Sequence, residues 1–260
     1  LFRPIFQLSD SCIYVLVIGF LCGFPMGARV TAESYQRGKL SRREAELMLA
    51  FCNNIGPIYF TGFVFHLFPV EHPWAFLAGM YLLPLLYGLF LRYTSYRDIP
   101  RPARIGESGI NKMYSSVKKH SLHAAEAPAA AEQKRLPGDP SLFAEMQNSI
   151  VSSLCAIASL GGYMILFNLL NLIPEILLPS KLTALQDIIG CILEITSGLS
   201  RLPASMAFWG YVLLPFGGLS CIAQTYSMIQ ETDLSMKNYV GHKIVQTMLA
   251  FVYYTFLYVF

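Results

Sequence analysis

Five long stretches of this 260-residue chain contain no aspartate, glutamate, lysine or arginine: Ser11–Ala28, Leu47–Val70, His72–Leu91, Met146–Pro174 and Leu202–Gln230. An apolar run of about 18 residues or more is long enough to cross the ~30 Å hydrocarbon core of a bilayer as a helix. Inside that core a backbone N–H or C=O without a partner costs several kcal/mol, so the chain must satisfy its own backbone as it passes through. The fold class expected is therefore all-α, a polytopic transmembrane helical bundle. Five such runs cannot be cleavable signals. The first residue is Leu1 rather than methionine, and a further segment is expected upstream of it.

Charge usage agrees. Only 13% of the residues are charged, against about 25% in soluble domains. Most of the charges fall in two stretches, Arg29–Glu46 and Arg97–Glu145. No basic stripe interleaved with aromatics lies on a soluble face, so nucleic acid is excluded as a partner. The six cysteines (Cys12, Cys22, Cys52, Cys155, Cys191 and Cys221) stand singly in apolar sequence. Their spacing fits neither a zinc site nor a disulfide framework, and they read as small buried hydrophobes. No HExxH, GxSxG or P-loop occurs, which leaves no motif for an enzyme.

Residues 93–140 divide the chain. Basic residues outnumber acidic ones there, and Ala-rich sequence leads into Pro137-Gly138-Asp139-Pro140. This stretch reads as a flexible linker between a first membrane half, 1–92, and a second, 141–260. Its basic excess places it on the cytoplasmic side of a cell membrane. The basic stretch 29–43 falls on the same side if Glu44–Val70 and Trp74–Arg92 each cross once. Ser41 followed by Glu44 is a capping box that opens a helix, and Asn53-Asn54-Ile55-Gly56-Pro57 must break it. The short helix Leu185–Ile195 either crosses or re-enters.

Four interruptions therefore sit in apolar surroundings: Gly23–Gly27, Asn53–Pro57, Glu194–Gly198 and Pro215–Ser220. The first and third match as polar, Gly-containing ends of apolar helices, and the second and fourth match as breaks within long runs. A weak internal two-fold repeat with broken or re-entrant helices is the sequence pointer to a transporter site. The expected solute-lining residues are Asn53, Asn54, Gly56, Glu194, Thr196, Ser197, Gly198, Gly217, Gly218, Ser220 and Gln224. Gly23, Pro25, Gly27, Arg29 and Pro57 are expected to shape or gate the breaks. Glu194 is the most informative, because a carboxylate within the membrane costs on the order of 3 kcal/mol. The structural alternatives are an ion pair from Glu194 to Arg201 or Arg29, lipid headgroups for Arg29, and interhelical hydrogen bonds for Ser220 and Gln224.

These same residues carry a resemblance. Gly23-Phe-Pro-Met-Gly-Ala-Arg-Val-Thr-Ala, Gly38-Lys-Leu-Ser and Leu49-Ala-Phe-Cys-Asn-Asn-Ile-Gly-Pro resemble the first block of the sporulation integral membrane protein YlbJ family. Leu193-Glu-Ile-Thr-Ser-Gly and Phe216-Gly-Gly-Leu-Ser-Cys-Ile-Ala-Gln resemble its second block. Cys52 stands where the family pattern leads one to expect serine. The resemblance implies a polytopic protein of the nucleoside-recognition, or gate, domain group, with a role in spore formation around cortex assembly. The expected function is a permease for a small polar solute such as a nucleoside, with no cofactor. A coupling ion, Na+ or H+, membrane lipid and a homo-oligomer are compatible with it. The alternative is a non-transporting scaffold or signalling protein whose basic linker recruits a cytoplasmic partner.

Overall fold

The computed structural model describes residues 5–101 and 142–259. The Ala-rich part of the linker, 102–141, lies outside them. Every regular element among the described residues is helical. The described residues 5–101 and 156–259 form one packed unit, and residues 142–155, the start of one long helix, fall in a second.

The first uncharged run is not one crossing. Helix α1 (Asp10–Cys22) has 13 residues, about 20 Å at 1.5 Å per residue, too short for the ~30 Å core. Gly23 ends it in the left-handed region, at φ 78°, and α2 (Met26–Gln36) follows after Phe24 and Pro25. The two helices pack on each other as a hairpin. Gly19 on α1 and Gly27 on α2 both press on the Cys52 carbonyl, where an added Cβ would come within 2.1 and 2.5 Å of the oxygen. No side chain fits at either place.

Helix α3 (Arg42–Phe51) begins with the expected capping box: Glu44 N–H donates to Ser41 Oγ at 3.3 Å, and Ser41 N–H to Glu44 Oε2 at 2.9 Å. It ends before the paired asparagines, and α4 (Pro57–Leu67) resumes with Pro57 at its first position, where no N–H is needed. Helix α5 (Pro73–Tyr93) carries a π turn at Ala78–Leu82.

The start of the expected linker is folded rather than loose. Arg92, at the end of α5, is buried and donates to the carbonyls of Phe6, Gln7, Tyr96 and Ile99. Tyr96 and Ile99 are buried with it. Sequence polarity concealed this because the ordering group is a basic side chain satisfied wholly by backbone oxygens. Arg43 also bonds the Ser95 carbonyl and Asp98, so the basic stretch 29–43 and the start of 93–140 meet at one end of the bundle.

Helix α6 (Leu142–Leu170) and the short α7 (Leu172–Leu177) follow the linker. The most apolar stretch of Ser153–Leu177 is not buried by the rest of the chain. A helix apolar all round and exposed is suited to lipid. Helices α8 (Thr183–Leu193) and α9 (Ile195–Arg201) then form a second hairpin turning at Glu194. The 11 residues of α8 cover about 16 Å, shorter than the ~30 Å hydrocarbon core, and the chain reverses at its end. Helices α10 (Ala207–Leu213) and α11 (Gly218–Ile229) flank the Pro215–Gly217 break, and α12 (Met236–Val259) closes the chain. Pro73–Tyr93, Ser153–Leu177 and Ala204–Ile229 are long and apolar enough to cross a membrane. Each sequence half thus supplies a short hairpin followed by a broken helix. Four of the cysteines are buried as expected, but Cys22 and Cys155 are exposed.

Candidate functional site

The four interruptions come together. Gly23 packs on the second break, where a Cβ would lie 2.5 Å from the Gly56 nitrogen and 3.2 Å from the Asn54 carbonyl oxygen. Phe24 packs on the fourth, with its ring 2.9 Å from where a Cβ on Gly217 would stand. Gly218 in turn lies on the hairpin tip, against the Cys191 carbonyl and the Ile195 nitrogen. Gly217 and Gly218 both have positive φ, 74° and 81°, a conformation glycine adopts without steric cost.

Where they meet, a cavity of about 570 Å³ opens. Its polar lining is Tyr59, Glu194, Thr196 and Gln224, and its apolar wall includes Phe24 and Ile55. Glu194 is only 2% exposed. Its carboxylate caps α9, Oε1 accepting from Thr196 N–H at 3.2 Å and Oε2 from Ser197 N–H at 2.7 Å. Free amides at a helix start offset the carboxylate charge without a basic side chain. The alternative, an ion pair from Glu194 to Arg29 or Arg201, does not form. Arg29 pairs with Glu33 at 2.9 Å, and Arg201 with Glu175. Each carboxylate oxygen retains acceptor capacity beyond its single amide. Tyr59 donates to Thr196 Oγ1 at 3.2 Å, and Gln224 Nε2 to Ser220 Oγ at 3.0 Å.

Of the expected solute-lining residues, Gly56, Glu194, Thr196 and Gln224 reach the cavity; Asn53, Asn54, Ser197, Gly198, Gly217, Gly218 and Ser220 stand behind it. Asn53 is fully buried and partnered at both ends of its amide: its Nδ2 donates to Thr225 Oγ1 (2.9 Å) and Tyr239 OH (3.0 Å), and its Oδ1 accepts from Ala28 N–H (3.3 Å). Asn54 Nδ2 donates to the Phe51 carbonyl at 2.6 Å, closing the end of α3, and its Oδ1 accepts from Lys243 Nζ at 2.9 Å. Ser197 Oγ accepts from Asn171 Nδ2 at 3.0 Å. Pro25, Gly27 and Pro57 shape the breaks.

Lys243 is the residue that sequence reading passed over. It is fully buried and also donates to Gln246 Oε1 at 3.1 Å, while Gln246 Nε2 donates to the Ala50 carbonyl at 2.7 Å. Tyr239, Lys243 and Gln246 follow i, i+4, i+7 spacing, so they share one face of α12. That spacing was visible, but near the polar start of a helix it looks like a solvated face.

The sequence is 26% identical over 277 aligned residues to the sporulation integral membrane protein YlbJ of Bacillus subtilis (strain 168), across 96% of this chain. The chain is similar to that sporulation membrane protein along nearly its whole length. It spans 65% of the length of that relative. No family model matches the sequence and no solved structure matches it. The Glu194 hairpin tip and the paired asparagines occupy the motif blocks that carry the resemblance, in a chain whose long apolar helices suit a membrane.

Proposed function

We propose that this chain is a permease for a small polar solute such as a nucleoside, acting in the cell membrane of a sporulating cell. The observation that carries the reading is the cavity at the meeting point of two hairpin tips and two broken helices, with Glu194 in its wall. Broken helices at bilayer depth are tolerated where they are packed in protein or line a cavity. The lining is mostly apolar, with Phe24 and Tyr59 offering flat aromatic surface, and its polar groups are confined to Tyr59, Glu194, Thr196 and Gln224. A solute with several hydrogen-bond donors and a flat apolar body fits that chemistry. Glu194 would accept from a hydroxyl or amine, with Thr196 and Gln224 beside it. Nothing catalytic is assigned, and a role in cortex assembly, a multi-pass topology and a cytoplasmic 93–140 linker belong to the same proposal.

Uptake of radiolabelled uridine and adenosine into proteoliposomes tests it. Purified wild-type protein should accumulate label, and Glu194→Ala should abolish uptake while the protein stays monodisperse and melts cooperatively. Uptake by Glu194→Ala at the wild-type rate would remove the site. Deleting residues 105–136 separates the scaffold alternative: a permease keeps its uptake, whereas a scaffold loses its role in sporulation with no transport to lose.

A further inference from the structure

Lys243 has no place in the reading so far, yet its surroundings are specific. Its ammonium has three N–H donors. Two go to the side-chain carbonyls of Asn54 and Gln246, and the Phe24 ring centroid lies 4.8 Å from Nζ. The Tyr239 ring lies 5.8 Å away. Among the described residues no carboxylate lies within ion-pair distance. A buried lysine in a membrane helix, held by neutral acceptors alone, is costly enough to mark a functional group.

Lys243 also touches the site from behind at two places. Asn54 immediately precedes Ile55 and Gly56, which line the cavity, and Phe24 lines it directly. The titratable groups around Lys243 are Tyr239 and His242 on its own helix, Cys52 at the end of α3, Cys221 on α11, and Tyr87 on α5, which is hydrogen-bonded to His242 at 2.7 Å. Helix α10 and the π turn of α5 meet α12 further along, at Tyr254. Cys221 lines the cavity and neighbours both Glu194 and Lys243.

We propose that Lys243 is the proton-coupling group of the permease, an inference that rests on the transport reading and assigns H+ as the coupling ion. The ammonium holds Asn54 and so fixes the break that forms one wall of the cavity. When water reaches Nζ past Phe24, the ammonium gives one proton to it and becomes a neutral amine. Asn54 Oδ1 then loses its charge-assisted bond, and the Asn54–Gly56 wall is released. Uptake of one proton from the opposite side restores the first state. Proton movement and cavity access are thereby linked through a single side chain.

The test uses full-length protein in proteoliposomes with an imposed pH gradient and labelled uridine. Wild type should accumulate uridine at least ~10-fold more with the gradient than without. Lys243→Arg, whose guanidinium stays charged, and Lys243→Met should lose that accumulation while still exchanging labelled for unlabelled uridine. Gradient-driven accumulation by either variant at the wild-type level overturns the coupling role but leaves the permease standing. No exchange by wild type overturns the permease, and the coupling role with it. A second measurement does not depend on variants folding: calorimetric titration of wild type with uridine in buffers of different ionisation enthalpy. Proton exchange on binding supports the inference, and its absence overturns it.

Discussion

Gly198 lies so close to Cys191 that an added Cβ would stand 2.4 Å from both the nitrogen and the Cα of Cys191. That contact binds the two arms of the α8–α9 hairpin and so sets the position of Glu194 at its tip. The neighbour is backbone, which cannot rotate away, so Gly198→Ala must displace one arm. A loss of about 1–3 kcal/mol is expected. Thermal melting in detergent reads the loss. In a background with the exposed Cys22 and Cys155 changed to serine, maleimide labelling of the buried Cys191 should rise. Unchanged melting and unchanged protection of Cys191 would show that the arms are not held there.

Arg92 satisfies four backbone carbonyls from two separate segments, Phe6–Gln7 and Tyr96–Ile99. Hydrogen bonds from a charged group contribute about 1.5–3 kcal/mol each, so Arg92→Ala should destabilise by about 3 kcal/mol or more. Lys at this position has three donors and no planar fork, and should recover only part of the loss. Melting temperatures of the two variants, with protease sensitivity at Arg97 and Arg101, check this. Equal melting of Arg92→Ala and wild type would contradict it.

Asn53 joins the second break to α11 and α12 through Thr225 and Tyr239, and to α2 through the Ala28 amide. Asn53→Ala leaves that amide unpaired and should cost about 1–3 kcal/mol. Tyr239→Phe removes one of the same bonds, so the double variant should fall short of the sum by on the order of 0.6 kcal/mol. Strict additivity would mean that the Asn53–Tyr239 bond contributes nothing.

At the charged end of the bundle, Arg43 hydrogen-bonds both oxygens of Asp98, at 2.9 and 3.0 Å, and holds its carboxyl below the usual range. A depressed carboxyl stabilises the fold at pH values above its unfolded value of about 4, and that contribution disappears as pH falls through the lower folded value. The pair is exposed, so the effect is small. Wild type should lose thermal stability on acidification below about pH 4 slightly more steeply than Asp98→Asn. Identical acid limbs would show that the pair does not hold the 95–98 turn.

The helical membrane character, the capping box at Ser41 and the four Gly- or Pro-marked breaks were legible in the sequence because each rests on local chemistry, whereas the π turn at Ala78–Leu82 was not. An uncharged run, a cap residue with its partner three positions on, and a proline without an N–H act over a few residues wherever they occur. The cavity was legible only in part. Glu194, Thr196, Gly56 and Gln224 line it, but the paired asparagines that looked most available are used up by Thr225, Tyr239, Phe51 and Lys243. An amide next to a break needs partners, and its sequence does not say whether those partners are solute or protein.

By itself the amino-acid sequence determined that this protein lives in a bilayer and where its apolar helices are interrupted, because those properties follow from apolar length and backbone hydrogen bonding. Only tertiary structure decided that the first uncharged run folds back as a hairpin, and that Glu194 is held by the amides of its own helix rather than by an arginine. It also decided that Arg92 folds the start of the linker and that Lys243 lies beneath the cavity wall. Those outcomes depend on which distant atoms reach hydrogen-bond distance, and that is set by the packing of glycine-lined hairpins against one another, which no local pattern encodes.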